Sequence, residues 1–376
     1  MGKKNTALTF LKELPQNVFA GFVVSLVALP LALGLAIASE APPLAGIISA
    51  VVGGVVVAVF GGSHITISGP GNGLVIVLLA AITSLGGGDL YQGYLFTLAA
   101  IILSGGLLFL FGALRLGAMS EFFPASALQG MLAAIGVGIL AKQFHVMLGL
   151  TSVSGDTIEQ LMRIPDSLLL FLGFHPFAGI IGVISILFLF FYSRIRNPYF
   201  HLIPAPMWVV VGSIGVGYYY QLVLKEVVPI PPELLIKIPE KIISALPRPN
   251  FEKLLDLDFL GVVVSITLIA VIESLLSIKA VDKLDLKKRR SNVNKDLRAL
   301  GLASIISGFL GGLNVVTVIA RSSVSANNGG TNRSANFFHA FFLVLFVVLL
   351  GDQIQRIPLT ALAAILVFTG YKLASP

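Results

Sequence analysis

Long apolar runs separated by short polar breaks repeat along almost the whole chain, as in Val18–Ala38, Tyr94–Gly112, Phe177–Tyr192 and Phe337–Leu350. A helix crosses the hydrocarbon core of a bilayer with ~20 mostly apolar residues. Apolar runs bounded by Gly, Pro or charge predict about twelve such segments, near 17–39, 42–60, 65–85, 92–112, 125–148, 167–193, 205–222, 258–280, 297–313, 316–330, 336–351 and 358–372.

Two segments do not read as continuous helices. One is the polar stretch Ser63 to Gly73 ahead of the run Leu74–Ile82; the other is Gly311 to Ser323 ahead of a short, small-residue helix. β-branched residues in alternation, followed by Gly, Pro or Ser, predict a short strand running into a half-helix. At membrane depth such backbone persists only where protein buries it or a cavity solvates it. The breaks occupy matching places in two related stretches, 18–80 and 258–328. Each runs from a span with an acid (Glu40, Glu273) through a small-residue span ending in Phe60-Gly-Gly or Leu310-Gly-Gly to a broken span. Spans counted from a cytoplasmic N-terminus enter the two stretches in opposite directions, which predicts an inverted repeat. Interrupted spans at corresponding places in two halves point to a transport site.

Composition changes the class, not the pattern. Charged residues make up 11% of the chain, apolar residues 56%, and mean hydropathy is +0.95. A soluble surface needs roughly a quarter charged residues, so the chain reads as a polytopic membrane protein with the lipid bilayer as its main partner. The net charge of +7 is concentrated in the loop Asp282–Arg298, as the positive-inside rule expects of a cytoplasmic loop, and nucleic acid is not expected as a partner. Arg115 and the Arg194/Arg196 pair fall on the same side, and the proline-containing connection 223–257 on the other. The chain has no cysteine, which removes disulfide and thiol chemistry. Lys3, Lys4 and Lys12 precede the first span without a convincing cleavage site, so that span is read as retained.

A half-helix that begins in mid-membrane presents unpaired N–H groups and a partial positive charge, and two facing ends make an anion site. The candidate ends are Gly71, Asn72 and Gly73 in the first repeat and Ile319, Ala320 and Arg321 in the second. Gly71 and Gly73 leave backbone open to a ligand, or serve close helix packing. An intramembrane arginine is costly; Arg321 supplies a full positive charge to an anion, or is structurally paired. Glu273 suggests a proton or sodium coupling site, or a partner for Arg321. Ser277, one turn later, shares its face. Glu40 is placed at the outer interface, Lys142, Gln143 and His145 near an interface where snorkelling explains the lysine, and His64 as a cap or packing residue. No motif of an enzyme appears: there is no H-E-x-x-H, Walker A or G-x-S-x-G. The sequon at Asn332 is read as without meaning.

Asn17 to Ala36, Phe60-Gly-Gly-Ser with Ile67-Ser-Gly-Pro-Gly, Ile272-Glu-Ser-Leu-Leu-Ser, Asn294-Lys-Asp-Leu and Gly308-Phe-Leu-Gly-Gly through Ala320-Arg-Ser together resemble the SulP (sulfate permease) family over nearly the whole chain. The resemblance implies an all-α, seven-plus-seven inverted-repeat fold of the uracil permease type, with about twelve of the fourteen spans present and two half-helices preceded by short strands. It implies a core of 1–120 and 258–355 moving against a gate of 121–257 and 356–376, the last incomplete. By position it carries the anion site onto Gly71, Asn72, Ala320 and Arg321, with Leu31 and Leu35 flanking, and a sodium site onto Glu273 and Ser277. Ala320 stands where many animal relatives have serine, which leaves substrate identity open. Family members continue with two more spans and usually a STAS domain, so a C-terminally truncated form is expected.

The expected function is secondary active transport of a small inorganic anion, bicarbonate or sulfate, coupled to sodium or protons, at the plasma membrane with the N-terminus cytoplasmic. No catalytic residue is expected, and no cofactor or metal beyond a sodium ion; the resemblance allows a homodimer. A dicarboxylate or nucleobase transporter on the same fold, or a non-transporting scaffold, stays open as the alternative.

Overall fold

The computed structural model describes residues 2–121, 125–150, 155–195, 203–239 and 246–375. The order is α1 (Gly2–Ala38), α2 (Pro43–Phe60), β1 (Ser68–Gly69), α3 (Val75–Gly86), α4 (Leu90–Ala113), α5 (Ala125–Met147), α6 (Thr157–Met162), α7 (Ile164–Phe174), α8 (Pro176–Tyr192) and α9 (Ala205–Tyr219). Then come α10 (Leu257–Leu284), α11 (Val293–Phe309), β2 (Val316–Thr317), α12 (Ile319–Asn327), α13 (Ser334–Ile354) and α14 (Leu359–Ala374). Among the described residues seven helices are long and apolar enough to cross a membrane, and shorter apolar helices cover Asn72–Gly86, Pro176–Tyr192 and Leu359–Ala374.

The inverted repeat is visible in this order. Helix, helix, short strand, half-helix, helix, helix (α1 to α5) recurs as α10 to α14. β1 and β2 pair antiparallel, Ser68 opposite Thr317 and Gly69 opposite Val316. Each strand is two residues long, shorter than the extended stretches suggested by the sequence. The buried Ser322 hydroxyl accepts the Ile67 N–H at 2.9 Å and Asn336 Oδ1 accepts the Ser68 N–H at 3.1 Å. These bonds satisfy backbone that neither strand nor helix can.

Three boundaries differ from the sequence reading. The first helix runs back to Gly2, with Pro15 and Pro30 inside it. The span expected over 167–193 is two helices, α7 and α8, broken at His175 (φ −134°, ψ 67°), because Pro176 removes an N–H and restricts the residue before it. The second half-helix ends at Asn327, followed by Gly329 at φ 84°. Arg196, paired with Arg194 in the sequence reading, lies outside the described residues.

Helix packing relies on small residues, as expected where lipid gives no hydrophobic drive between helices. α4 and α11 cross at Gly105 and Gly301, each of whose missing Cβ would fall within 2.8 Å of the other's carbonyl oxygen. α5 and α14 cross in the same way at Gly136 and Gly370. Large apolar side chains such as Ile184, Phe191, Val348 and Leu349 are exposed, as a lipid-facing surface requires.

The two ends of the bundle differ. At one, the basic loop after α10 is held by Arg289, which donates to both Asp285 oxygens at 2.7 and 3.1 Å and to the Thr331 carbonyl at 2.6 Å. Thr331 N–H donates in turn to Asn17 Oδ1 at 2.9 Å, and Lys287 donates to Glu13. At the other end the 223–257 connection is fastened to the bundle. Asn250 N–H donates to Leu95 O at 3.0 Å, Lys253 Nζ to Leu85 O at 2.7 Å, and Leu235 bridges Pro358. The basic loop and the proline-containing connection therefore lie on opposite sides, as the charge count requires.

Candidate functional site

Pairing of β1 with β2 brings the starts of the two half-helices together. The first begins at Gly71 (φ −88°, ψ 144°), passes through a 3-10 turn over Asn72–Leu74 and continues as α3. The second begins at Val318 and runs directly into α12. Neither start carries a side-chain cap of its own, so the N–H groups of the first turn are left for other partners.

One partner comes from the other repeat. Glu273 of α10 is 7% exposed, and its Oε1 accepts the Gly73 N–H at 3.3 Å while Oε2 has no hydrogen-bond partner. The carboxylate lies directly under the glycines. A Cβ on Gly71 would stand 2.6 Å from Glu273 Oε2 and 2.4 Å from Val316 Cγ2, and one on Gly73 would stand 2.7 Å from Oε2. The glycines are needed for this approach. Ser277 is buried one turn further along α10.

Arg321 is 1% exposed, the largest fully buried side chain described. Its Nη1 packs against Gly69, whose Cβ would fall 2.5 Å away, and its Nε and Nη1 have no hydrogen-bond partner. No salt bridge within 4 Å joins it to Glu273, whose carboxylate takes the Gly73 N–H, although the two opposite charges are near enough to act on each other. Arg321 thus sets its charge behind the strand pair while its neighbour Ala320 is exposed and Asn72 partly so. Leu31 and Leu35 are buried in the apolar cluster that joins α1 to Val75 of α3, Ile135 and Ile139 of α5, and Leu362 and Leu366 of α14.

Other polar residues sort into structural roles. Asp296 accepts from Gly62 N–H at 2.7 Å, Ser63 N–H at 3.0 Å and the Ser63 hydroxyl, fixing the turn between α2 and β1. The sequon Asn332 accepts the Ser334 N–H at 3.0 Å, an Asx turn just ahead of α13. His145 bonds Ser167 Oγ at 2.7 Å and Gln160 O at 2.9 Å. The Lys142 ammonium meets Glu40 at 2.6 Å at the end of α1. The sequence reading assigned no role to Ser322 and Asn336, which bond the backbone of Ile67 and Ser68, or to the buried His339. Asn336 and His339, three apart in an apolar run, carry the signal that could have found them.

Residues 14–376 match the sulfate permease family. The chain belongs to that family. It is 25% identical to "Bicarbonate transporter BicA" of Picosynechococcus sp. over 93% of its length and 60% of that protein. It is 24% identical to "Probable sulfate transporter 3.5" of Arabidopsis thaliana over 95% of its length and 56% of that protein. The chain thus spans less than two thirds of these curated relatives. Its fold is similar to the transmembrane domain of a cyanobacterial bicarbonate transporter BicA (TM-score 0.83, 24% identity, 96% of this chain and 88% of that one). It is also similar to SLC26A9 (TM-score 0.79, 16% identity, 99% and 61%). The all-α inverted-repeat architecture expected from the sequence is the one these structures share, and the relatives are transporters rather than enzymes.

Proposed function

We propose that this protein carries a small inorganic anion, bicarbonate or sulfate, across the plasma membrane by secondary active transport. The anion binds between the starts of α3 and α12, beside Gly71, Asn72 and Ala320, with Arg321 supplying charge from behind. The core of 1–120 and 258–355 moves against the gate of 121–257 and 356–376, and the N-terminus is cytoplasmic.

The observation that carries this reading is the convergence of two half-helix starts, neither capped by a side chain of its own helix, beside the opposite charges of Glu273 and Arg321. Each start contributes roughly half a positive charge. With Arg321 positive and Glu273 negative, the site holds about one net positive charge. That suits a monovalent anion. A divalent anion needs one more, and Glu273 is where a proton or sodium ion can provide it, with Ser277 offering an oxygen to sodium. For a divalent anion coupling then follows from charge balance: the free Oε2 of Glu273 takes the cation as the anion meets the helix starts.

Uptake of labelled bicarbonate and sulfate into proteoliposomes, with and without sodium, tests the reading. Saturable uptake of one of them, abolished by Arg321→Gln, is expected. A protein that takes up neither anion under any cation gradient would overturn it. A nucleobase ring wants carboxylates facing it, and the one carboxylate here is turned onto Gly73.

A further inference from the structure

Outside the site just described, one charged pair sits on the seam between α1 and α5. Lys142 Nζ lies 2.6 Å from Glu40 Oε1 and 3.4 Å from the Ala38 carbonyl. Glu40 holds the turn between α1 and α2 at φ 60°, a conformation costly for a residue with a Cβ. The two side chains are 36% and 21% exposed.

Beside Lys142 lies a cavity of about 210 Å³ lined by Ala38, Val75, Ile76, Lys142, Asp156 and Thr157, among others; the Asp156 carboxylate on this wall is engaged as the cap of α6, accepting the Glu159 N–H at 2.8 Å. That is the liquid volume of roughly seven waters, enough for a hydrated small anion. Val75 and Ile76 open α3, so the cavity reaches the first half-helix immediately after its 3-10 turn. It therefore lies between the helix starts and the membrane face at which α1 ends.

We propose that Lys142 is an anion subsite on the way to the half-helix starts, and that Glu40 is its built-in competitor. The proposal rests on the anion-transport reading above. An ammonium that holds a carboxylate holds another oxyanion by the same charge-assisted hydrogen bonds. A partly exposed ion pair is weak enough to exchange its carboxylate for an incoming anion. Glu40 then keeps the ammonium oriented when no anion is present and yields it when one arrives. Thr157, on the same cavity wall, adds a hydroxyl donor.

The test is the concentration dependence of bicarbonate and sulfate uptake by the full-length protein in proteoliposomes. Glu40→Gln frees the ammonium and is expected to lower the half-saturating anion concentration on the order of threefold, the scale of a partly exposed ion pair. Lys142→Gln is expected to raise it by at least as much, and Lys142→Arg to restore it. Misfolding lowers the amount of active protein and does not move half-saturation in opposite directions. Uptake with unchanged half-saturation in Lys142→Gln, or shifts of the same sign in both charge-removing variants, overturns the subsite alone. No uptake by the wild-type protein overturns the transport reading and the subsite with it.

Discussion

Glu273 accepts the backbone N–H of Gly73 at 3.3 Å, joining two residues 200 positions apart in sequence. The acid of one repeat thus caps the half-helix of the other, and its charge sits where an anion is drawn. Glu273→Gln keeps an acceptor for Gly73 and removes the charge. Anion uptake by this variant is expected to lose its dependence on sodium or on a proton gradient while the protein folds as before. Cation dependence that survives the substitution removes Glu273 from coupling.

Gly71→Ala tests the close approach. Its Cβ would stand 2.4 Å from Val316 Cγ2 and 2.6 Å from Glu273 Oε2, both on rigid elements, so overpacking costs about 1–3 kcal/mol. A lower melting temperature in detergent is expected, together with loss of uptake. Gly106→Ala, in the interior of α4 with nothing within 4 Å of the new Cβ, is expected to be neutral or to stabilise by up to ~1 kcal/mol. Equal melting temperatures for the two variants would contradict the packing account.

Ala320 is exposed and Ser322 buried, two positions apart at the start of α12. Because the chain has no cysteine, single cysteines report on each position without background. Ala320→Cys is expected to react with a hydrophilic thiol reagent and to be protected by the transported anion; Ser322→Cys is expected to stay unreactive. Labelling of Ala320→Cys that saturating bicarbonate and sulfate leave unchanged would remove this residue from the site.

Asp296 holds two N–H groups and a hydroxyl of the turn after α2. Asp296→Ala leaves these donors without their acceptor, at a cost of about 2–4 kcal/mol. Thermal unfolding should show this as one of the larger single losses. Asp296→Asn, which keeps one acceptor, should recover part of it; identical losses for both would point away from hydrogen bonding.

The loop clamp carries its own pH dependence. Burial alone would push the Asp285 carboxyl up, but Arg289 and the N–H groups of Lys287 and Arg289 outweigh it and hold it below its ordinary value. A carboxyl lowered on folding contributes stability at pH values above its unfolded value and loses it as pH falls through the folded one. The contribution is therefore constant from neutral pH down to the ordinary aspartate range, near pH 4, and fades below it. Asp285→Asn should lower the melting temperature at pH 7 and narrow its gap to the wild type under acid conditions. A gap that widens with acid would reverse the sign of this account.

Much of this was legible in the sequence because bilayer crossing imposes a local rule: each span must satisfy its own backbone and present apolar side chains. Run lengths therefore located the helices, and the two polar stretches around Gly71 and Arg321 stood out as the places where that rule fails. Their matching positions in the two repeats were visible without coordinates, as was the family likeness. The break at His175 was missed although Pro176 signals it, because the apolar run continues across it.

Pairings across the repeats were decided only by tertiary structure. No local pattern says that Glu273 bonds Gly73, that Asn336 bonds the β1 backbone and Ser322 the Ile67 N–H just before it, or that Lys142 reaches Glu40. Each joins side chains to groups distant in sequence, and packing of the half-helices sets the geometry. By itself the sequence determined that this is a multi-span membrane protein with two broken spans, since hydrophobic length and charge are properties of consecutive residues. The fold alone decided which buried charge faces which backbone group, because that depends on how the two repeats meet.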